Sequence, residues 1–143
     1  MSLQTWMDEY FPSLDYKTIK ETDAIRGNIL TWTGLSRKNL FKHQVDSFVS
    51  CSYPYIMDAY DTMNRFYVDI YHLPLCIFVM NQWAWNPDRL MCDDCPIKRM
   101  TGTTCWYDKN SPYKTWTKTL NIRPMLKTLQ ETLHWVEGKN ANG

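Results

Sequence analysis

No long apolar run is present in this sequence. The longest, Leu73 to Met80, falls far short of the roughly 20 residues that a membrane-crossing helix needs, so no membrane partner is expected. An excess of either charge is also missing: sixteen basic residues stand against fifteen acidic ones, for a net charge of +1. That balance argues against a protein built mainly to neutralise phosphates, and equally against an acidic mimic of nucleic acid. Glycine is scarce, at five residues, and none forms a phosphate-cradling loop or a nucleophile elbow; H-E-x-x-H is absent as well. The three histidines, His43, His72 and His134, stand in no spacing that implies a catalytic dyad. The first ten residues, Met1 to Tyr10, have neither the basic start nor the apolar stretch of a secretory signal. Together with an odd number of cysteines, five, this argues against a disulfide framework and for a reducing, cytoplasmic setting.

What is present is a chain of 143 residues and 17.1 kDa, 44% apolar and 22% charged, enough for one globular domain with its own core. Aromatic residues are plentiful: seven Trp, nine Tyr and five Phe. Rings fill cores, and they also build interfaces and base-stacking platforms, so the excess favours binding without naming a ligand.

The first half reads helical. Leu3, Trp6, Met7 and Tyr10 lie on one face of a short helix that Pro12 would stop. A second helix is expected from an N-cap at Thr22, with Ile25, Ile29 and Trp32 on one stripe and Gly34 in a left-handed closing position. Ser36 would cap a third helix through Leu40 and His43, giving a helix-turn-helix outline. Phe66, Val68 and Ile70 alternate with Tyr67, Asp69 and Tyr71 in a strand pattern, and Leu75 to Met80 fits either a buried strand or a turn of helix. Asn86-Pro87-Asp88 marks a break. Ile122, Met125, Leu126, Leu129, Leu133 and Val136 describe an amphipathic closing helix ending near Gly138, with Pro124 in its first turn. The expected architecture is a mostly helical α+β single domain over residues 1–138, with a short β segment. Its cysteine-rich region, 72–116, packs on the closing helix, and 139–143 form a disordered tail.

Four cysteines carry the chemistry. Cys76, the C-x-x-C pair Cys92 and Cys95, and Cys105 fall within one stretch of the chain, and soft thiolates at such spacing suit tetrahedral zinc. Cys92 and Cys95 would present two sulfurs from one turn, Cys105 would return across a loop after Gly102, and Cys76 or His72 would supply the fourth ligand. Cys51 stays outside the set. Lys98, Arg99 and Lys109 would offset the charge of the thiolates, whereas Asp93 and Asp94 oppose thiolate formation and Pro96 has no N–H to donate to a sulfur. The competing reading makes these cysteines reduced residues of a tight loop, with Cys76 a small core side chain; a thiol-dependent enzyme is a further alternative.

Two other features bear on partners. Trp83, Trp85, Trp106, Tyr107, Tyr113 and Trp116 bracket the cysteines, as a small core or as a protein-binding surface. The run Ser36 to His43 holds Arg37, Lys38 and Lys42 on a short helix, as a solvated face or as a nucleic-acid contact.

The order Cys92-Asp93-Asp94-Cys95-Pro96-Ile97, then Cys105, then Ser111-Pro112-Tyr113-Lys114-Thr115-Trp116 resembles a pattern in small uncharacterised proteins of tailed bacteriophages and prophages. Trp32-Thr33-Gly34-Leu35, Asn39-Leu40 and His43 resemble their amino-terminal element. Those proteins often carry C-x-x-C at the first cysteine position, where this chain has Leu73 and Cys76. The resemblance implies a phage-encoded accessory protein in a bacterial cytoplasm, with no established activity attached. The expected function is therefore non-enzymatic: binding of a host or phage protein, in the manner of a factor that blunts a host defence.

Overall fold

The computed structural model describes residues 2–48 and 64–142. Among them run seven α-helices, a 3-10 turn and two short strands: α1 (Leu3–Tyr10), α2 (Glu21–Gly34), α3 (Arg37–His43), β1 (Asp46–Phe48), β2 (Arg65–Tyr67), α4 (Pro74–Gln82), the 3-10 turn (Met91–Asp94), α5 (Pro96–Thr101), α6 (Pro112–Thr119) and α7 (Arg123–Asn142). This is the mostly helical α+β single domain expected. The strands pair in parallel, Asp46 with Arg65 through Phe48 with Tyr67.

Helix α2 is the axis of the domain and packs on α1, α4 and α7. Its buried Ala24, Ile25, Thr31 and Trp32 face three neighbours at once, so no single apolar stripe describes it. Burying Trp6 and Tyr10 from α1 against it removes most of two rings from water, a gain of a few kcal/mol each. The α1 face is the one the sequence spacing indicates, and Phe11 ends the helix just before Pro12. Ser36 caps α3 by accepting the Asn39 N–H at 3.2 Å, as read from sequence.

Several local expectations change. The N-cap of α2 is Lys20, its N–H held at 3.3 Å by Asp23, while Thr22 is buried inside the first turn. Gly34 is not in the left-handed region: it is the last helical residue, and a Cβ there would come within 2.4 Å of the Tyr10 ring. Its smallness serves close packing. The alternation after Phe66 stops early because Asp69 turns the chain, accepting the Tyr71 N–H at 2.8 Å on its carboxylate. Leu75 to Met80 is helix, since Pro74 opens a turn that buries Leu75, Phe78 and Val79. Helix α7 runs through Gly138 to Asn142 rather than ending in a disordered tail, and Pro124 sits in its first turn.

Candidate metal centre

Each of the four cysteines is placed by a different local device. Cys76 lies in the first turn of α4, whose Leu75 N–H is accepted at 3.1 Å by the buried side chain of Asn28. A residue of α2 thus caps α4 from outside and fixes where Cys76 stands. Cys92 lies in the 3-10 turn, closed by Asp93 accepting the Leu90 N–H at 3.0 Å. Cys95 is the N-cap of α5, with Pro96 at the first helical position. Gly102, at φ +80°, then ends α5 in the left-handed conformation, and the chain doubles back to Cys105. Ser111 donates at 2.8 Å to the Cys105 carbonyl and accepts the Lys114 N–H at 3.1 Å, tying that turn to the start of α6.

These devices bring Cys76, Cys92, Cys95 and Cys105 to the wall of one cavity. The other walls are mostly apolar, with Trp32, Trp106 and Tyr113 among them; Asn28, Thr103 and Thr104 also line it, and Lys98 is its one charged residue among the described residues. Tyr113 is anchored by its hydroxyl, which donates at 2.8 Å to the Val68 carbonyl, and Trp116 meets Trp32 edge-on at 5.1 Å. From the Ser-Pro-Tyr-x-x-Trp run, Tyr113 lines the cavity and Trp116 packs on Trp32.

Burial raises the pKa of every one of these thiols. Cys95 is pushed up to about 11, by desolvation first and then by Cys92, while the backbone N–H groups of Ile97 and Lys98 partly counter the rise. Those amides take over the part that Pro96 cannot play. Cys105 and Cys76 are held well above the ordinary thiol value by desolvation and by the neighbouring cysteines, and Cys92 is raised by desolvation and by Asp93. Asp94, by contrast, pairs with Arg89 at 2.7 Å. Each thiolate destabilises its neighbours, so four of them coexist only around a positive centre. An activated nucleophile needs the reverse shift, which opposes the thiol-enzyme reading.

The cysteines keep some accessible surface although desolvation dominates their ionisation, a combination that suits side chains whose free surface faces a cavity. Among the described residues, no group of three or more His, Cys, Asp or Glu side chains is gathered so as to hold a metal ion. His72, the other candidate for the fourth position, is turned to Asp69, with Nδ1 at 2.6 Å from its carboxylate, and is not in the cavity wall. Cys51 lies outside the described residues. Of the cations expected to balance the thiolates, Lys98 reaches the cavity, Arg99 pairs with Glu21 at 2.6 Å, and Lys109 is exposed.

The aromatic cluster divides. Tyr113 and Trp116 are 1% exposed and belong to the core, Trp83 and Trp106 are half-buried, and Trp85 is 75% exposed. Tyr107 is also exposed, so the surface part of the cluster is Trp85 and Tyr107. On α3, Arg37 and Lys38 are exposed beside Phe41, whereas the Lys42 ammonium lies 3.2 Å from Glu9.

One cluster has no counterpart in the sequence pattern. His43 is buried between Thr5, whose hydroxyl is 2.9 Å from Nδ1, and Glu9, 2.7 Å from Nε2. The set has the outline of a hydroxyl–imidazole–carboxylate triad, but the Thr5 hydroxyl donates to the Ser2 carbonyl at 2.9 Å and accepts the Ser2 N–H at 3.0 Å. It closes the first turn of α1 and ties α1 to α3, leaving no hydroxyl free to attack. Only the fold brings Thr5, Glu9 and His43 together, and no local spacing announces it.

No helix among the described residues is long and apolar enough to cross a membrane. No protein-family model matches this sequence, and no curated protein or solved structure is detectably similar to it.

Proposed function

We propose that this chain is a metal-thiolate protein in which Cys76, Cys92, Cys95 and Cys105 hold a thiophilic metal centre, and that the domain so completed acts by binding another protein. The observation that carries the first part is the meeting of four cysteines, from four separately positioned segments, at one apolar cavity. Four thiolates there carry charge that the cavity wall, with Lys98 alone, does not neutralise, and a divalent metal would supply the rest. Such a centre ties α4, the 3-10 turn, α5 and the turn before α6 into one unit. Metal content measured on protein purified without chelator, with a count of thiols titratable before and after denaturation, tests this. Bound metal with at most one thiol titratable before denaturation supports it. Five freely titratable thiols and no metal would remove it.

The second part rests on Trp85. A tryptophan 75% exposed, on the connection leading into the 3-10 turn, is the kind of residue that anchors a protein interface. The likeness to phage proteins favours a phage-encoded accessory role, with a host or phage protein as the partner. Pull-down from a bacterial lysate with wild type and Trp85→Ala tests it: the wild type should recover a reproducible partner that the variant loses. Equal recovery by both would place the contact elsewhere. Nucleic-acid binding through Arg37 and Lys38 has less support, because Glu9 already occupies Lys42; an affinity insensitive to salt would exclude it.

A further inference from the structure

We infer that the outer face of α3, made by Arg37, Lys38 and Phe41, docks an acidic segment of a partner protein. The inference depends neither on the metal centre nor on Trp85. Helix α3 divides its residues between the fold and the solvent. Ser36 caps it, and the Asn39 side-chain amide donates to the Thr33 carbonyl at 2.8 Å. Leu40 packs on the core and His43 is buried. Lys42 is occupied by Glu9, 3.2 Å away. Arg37, Lys38 and Phe41 are left over, and all are exposed. Residues three and four apart on a helix are neighbours, so both cations lie beside the same ring.

The character of this face sets it apart from an ordinary solvated one. Phe41 is 85% exposed, more than any other large hydrophobic side chain among the described residues. Arg26, Arg89 and Arg99 each hold a carboxylate within hydrogen-bond reach, whereas Arg37 and Lys38 have no such partner among the described residues. The helix gains nothing from these charges, because its first turn is the end where cations are disfavoured. A ring flanked by two unpaired cations is complementary to a segment that carries carboxylates beside an apolar side chain. Arg37 can take a carboxylate through two parallel hydrogen bonds, Lys38 adds a point charge, and Phe41 covers the apolar contact. A nucleic acid fits less well. Two cations neutralise few phosphates, Glu9 of the adjoining α1 already engages Lys42, and the whole chain carries a net charge of only +1.

The test is selection of short random peptides on the immobilised wild-type protein, followed by fluorescence anisotropy of the enriched sequences. These should carry more than one Asp or Glu beside an aromatic or aliphatic residue, and their affinity should fall as salt rises. Phe41→Ala, and Arg37→Glu combined with Lys38→Glu, should each weaken binding at least about tenfold. Both sets of side chains are exposed, so the variants should keep the fold. Lys118→Glu, a charge reversal at another exposed site, and Trp85→Ala should leave the affinity as it was. No enrichment, enriched peptides without an acidic excess, or an equal loss with Lys118→Glu or Trp85→Ala would overturn the inference. Tighter binding of single-stranded oligo-dT, lost in the same α3 variants, would overturn it as well, since the face would then be a nucleic-acid contact.

Discussion

Two sides of the α2 helix bury polar groups in different ways. On the side facing α1 and α3, polar groups pair with one another: the Trp6 indole donates to the Gly34 carbonyl at 2.7 Å, the Thr31 hydroxyl donates to the Tyr10 carbonyl at 2.9 Å, and His43 bridges Thr5 and Glu9. His43 first, and then Tyr10 and Lys42, hold the Glu9 carboxyl below its usual range. On the side facing α4, the Trp32 indole has no acceptor among the described residues, and four thiols with raised pKa values line a cavity. The first region is closed by its own hydrogen bonds, and the second is the one that the proposed metal centre would complete.

The comparison can be broken from either side. The largest effect is expected from Gly34→Ala, because its Cβ would lie 2.4 Å from the Tyr10 ring, close to that residue's own backbone, so something must shift. A loss of about 3 kcal/mol in denaturant unfolding is predicted, with metal content per folded chain unchanged. A drop in metal content would show that the two sides are not independent.

Next comes a pH effect confined to metal-free protein. The Cys95 thiol ionises near 9.0 when unfolded and at about 11 when folded. Between those values the unfolded chain binds fewer protons, so the contribution is whole below pH 9 and drains away as pH rises through 11. Its size is on the order of 2 kcal/mol. Unfolding curves of stripped wild type and stripped Cys95→Ser should therefore converge or cross over that window. In loaded protein the sulfur is already a thiolate, and the loss should vanish. A loaded protein that weakens as steeply as the stripped one would contradict metal ligation by Cys95.

A smaller effect is expected from Trp6→Phe, which keeps a ring but leaves the Gly34 carbonyl without its donor. It should cost about 1–3 kcal/mol of stability and leave the cysteine region unaltered. The smallest concerns Trp85→Ala, which should change stability by under about 0.5 kcal/mol because the ring is exposed. A larger change would mean that the ring packs against the domain.

What the sequence reveals follows from how local each cause is. The α1 face, the Ser36 cap and Pro124 at the start of α7 all rest on residues near one another in the chain, and all appear where expected. The reason for Gly34 does not, since it depends on Tyr10 from another helix. Leu75 to Met80 is ambiguous as sequence because an element buried on several sides has no polar face to show its period. The strand over-reads because Asp69, buried and turning the chain, looks like an outward polar residue of an alternating pattern. Exposure of aromatic residues is likewise invisible: Trp85 and Trp116 are the same residue type in the same region, one at the surface and one in the core. The spacing singles out Cys76, Cys92, Cys95 and Cys105, but the cavity they line together emerges only in three dimensions.

The most direct test of this account is hydrogen exchange on the anaerobically purified protein compared with the same protein stripped of metal. Stripping should remove protection from α4, the 3-10 turn, α5 and the turn holding Cys105, while amides of α1 and α3 keep theirs. Identical exchange in the two forms would contradict the account, because the cysteine region would then be complete without anything bound in it.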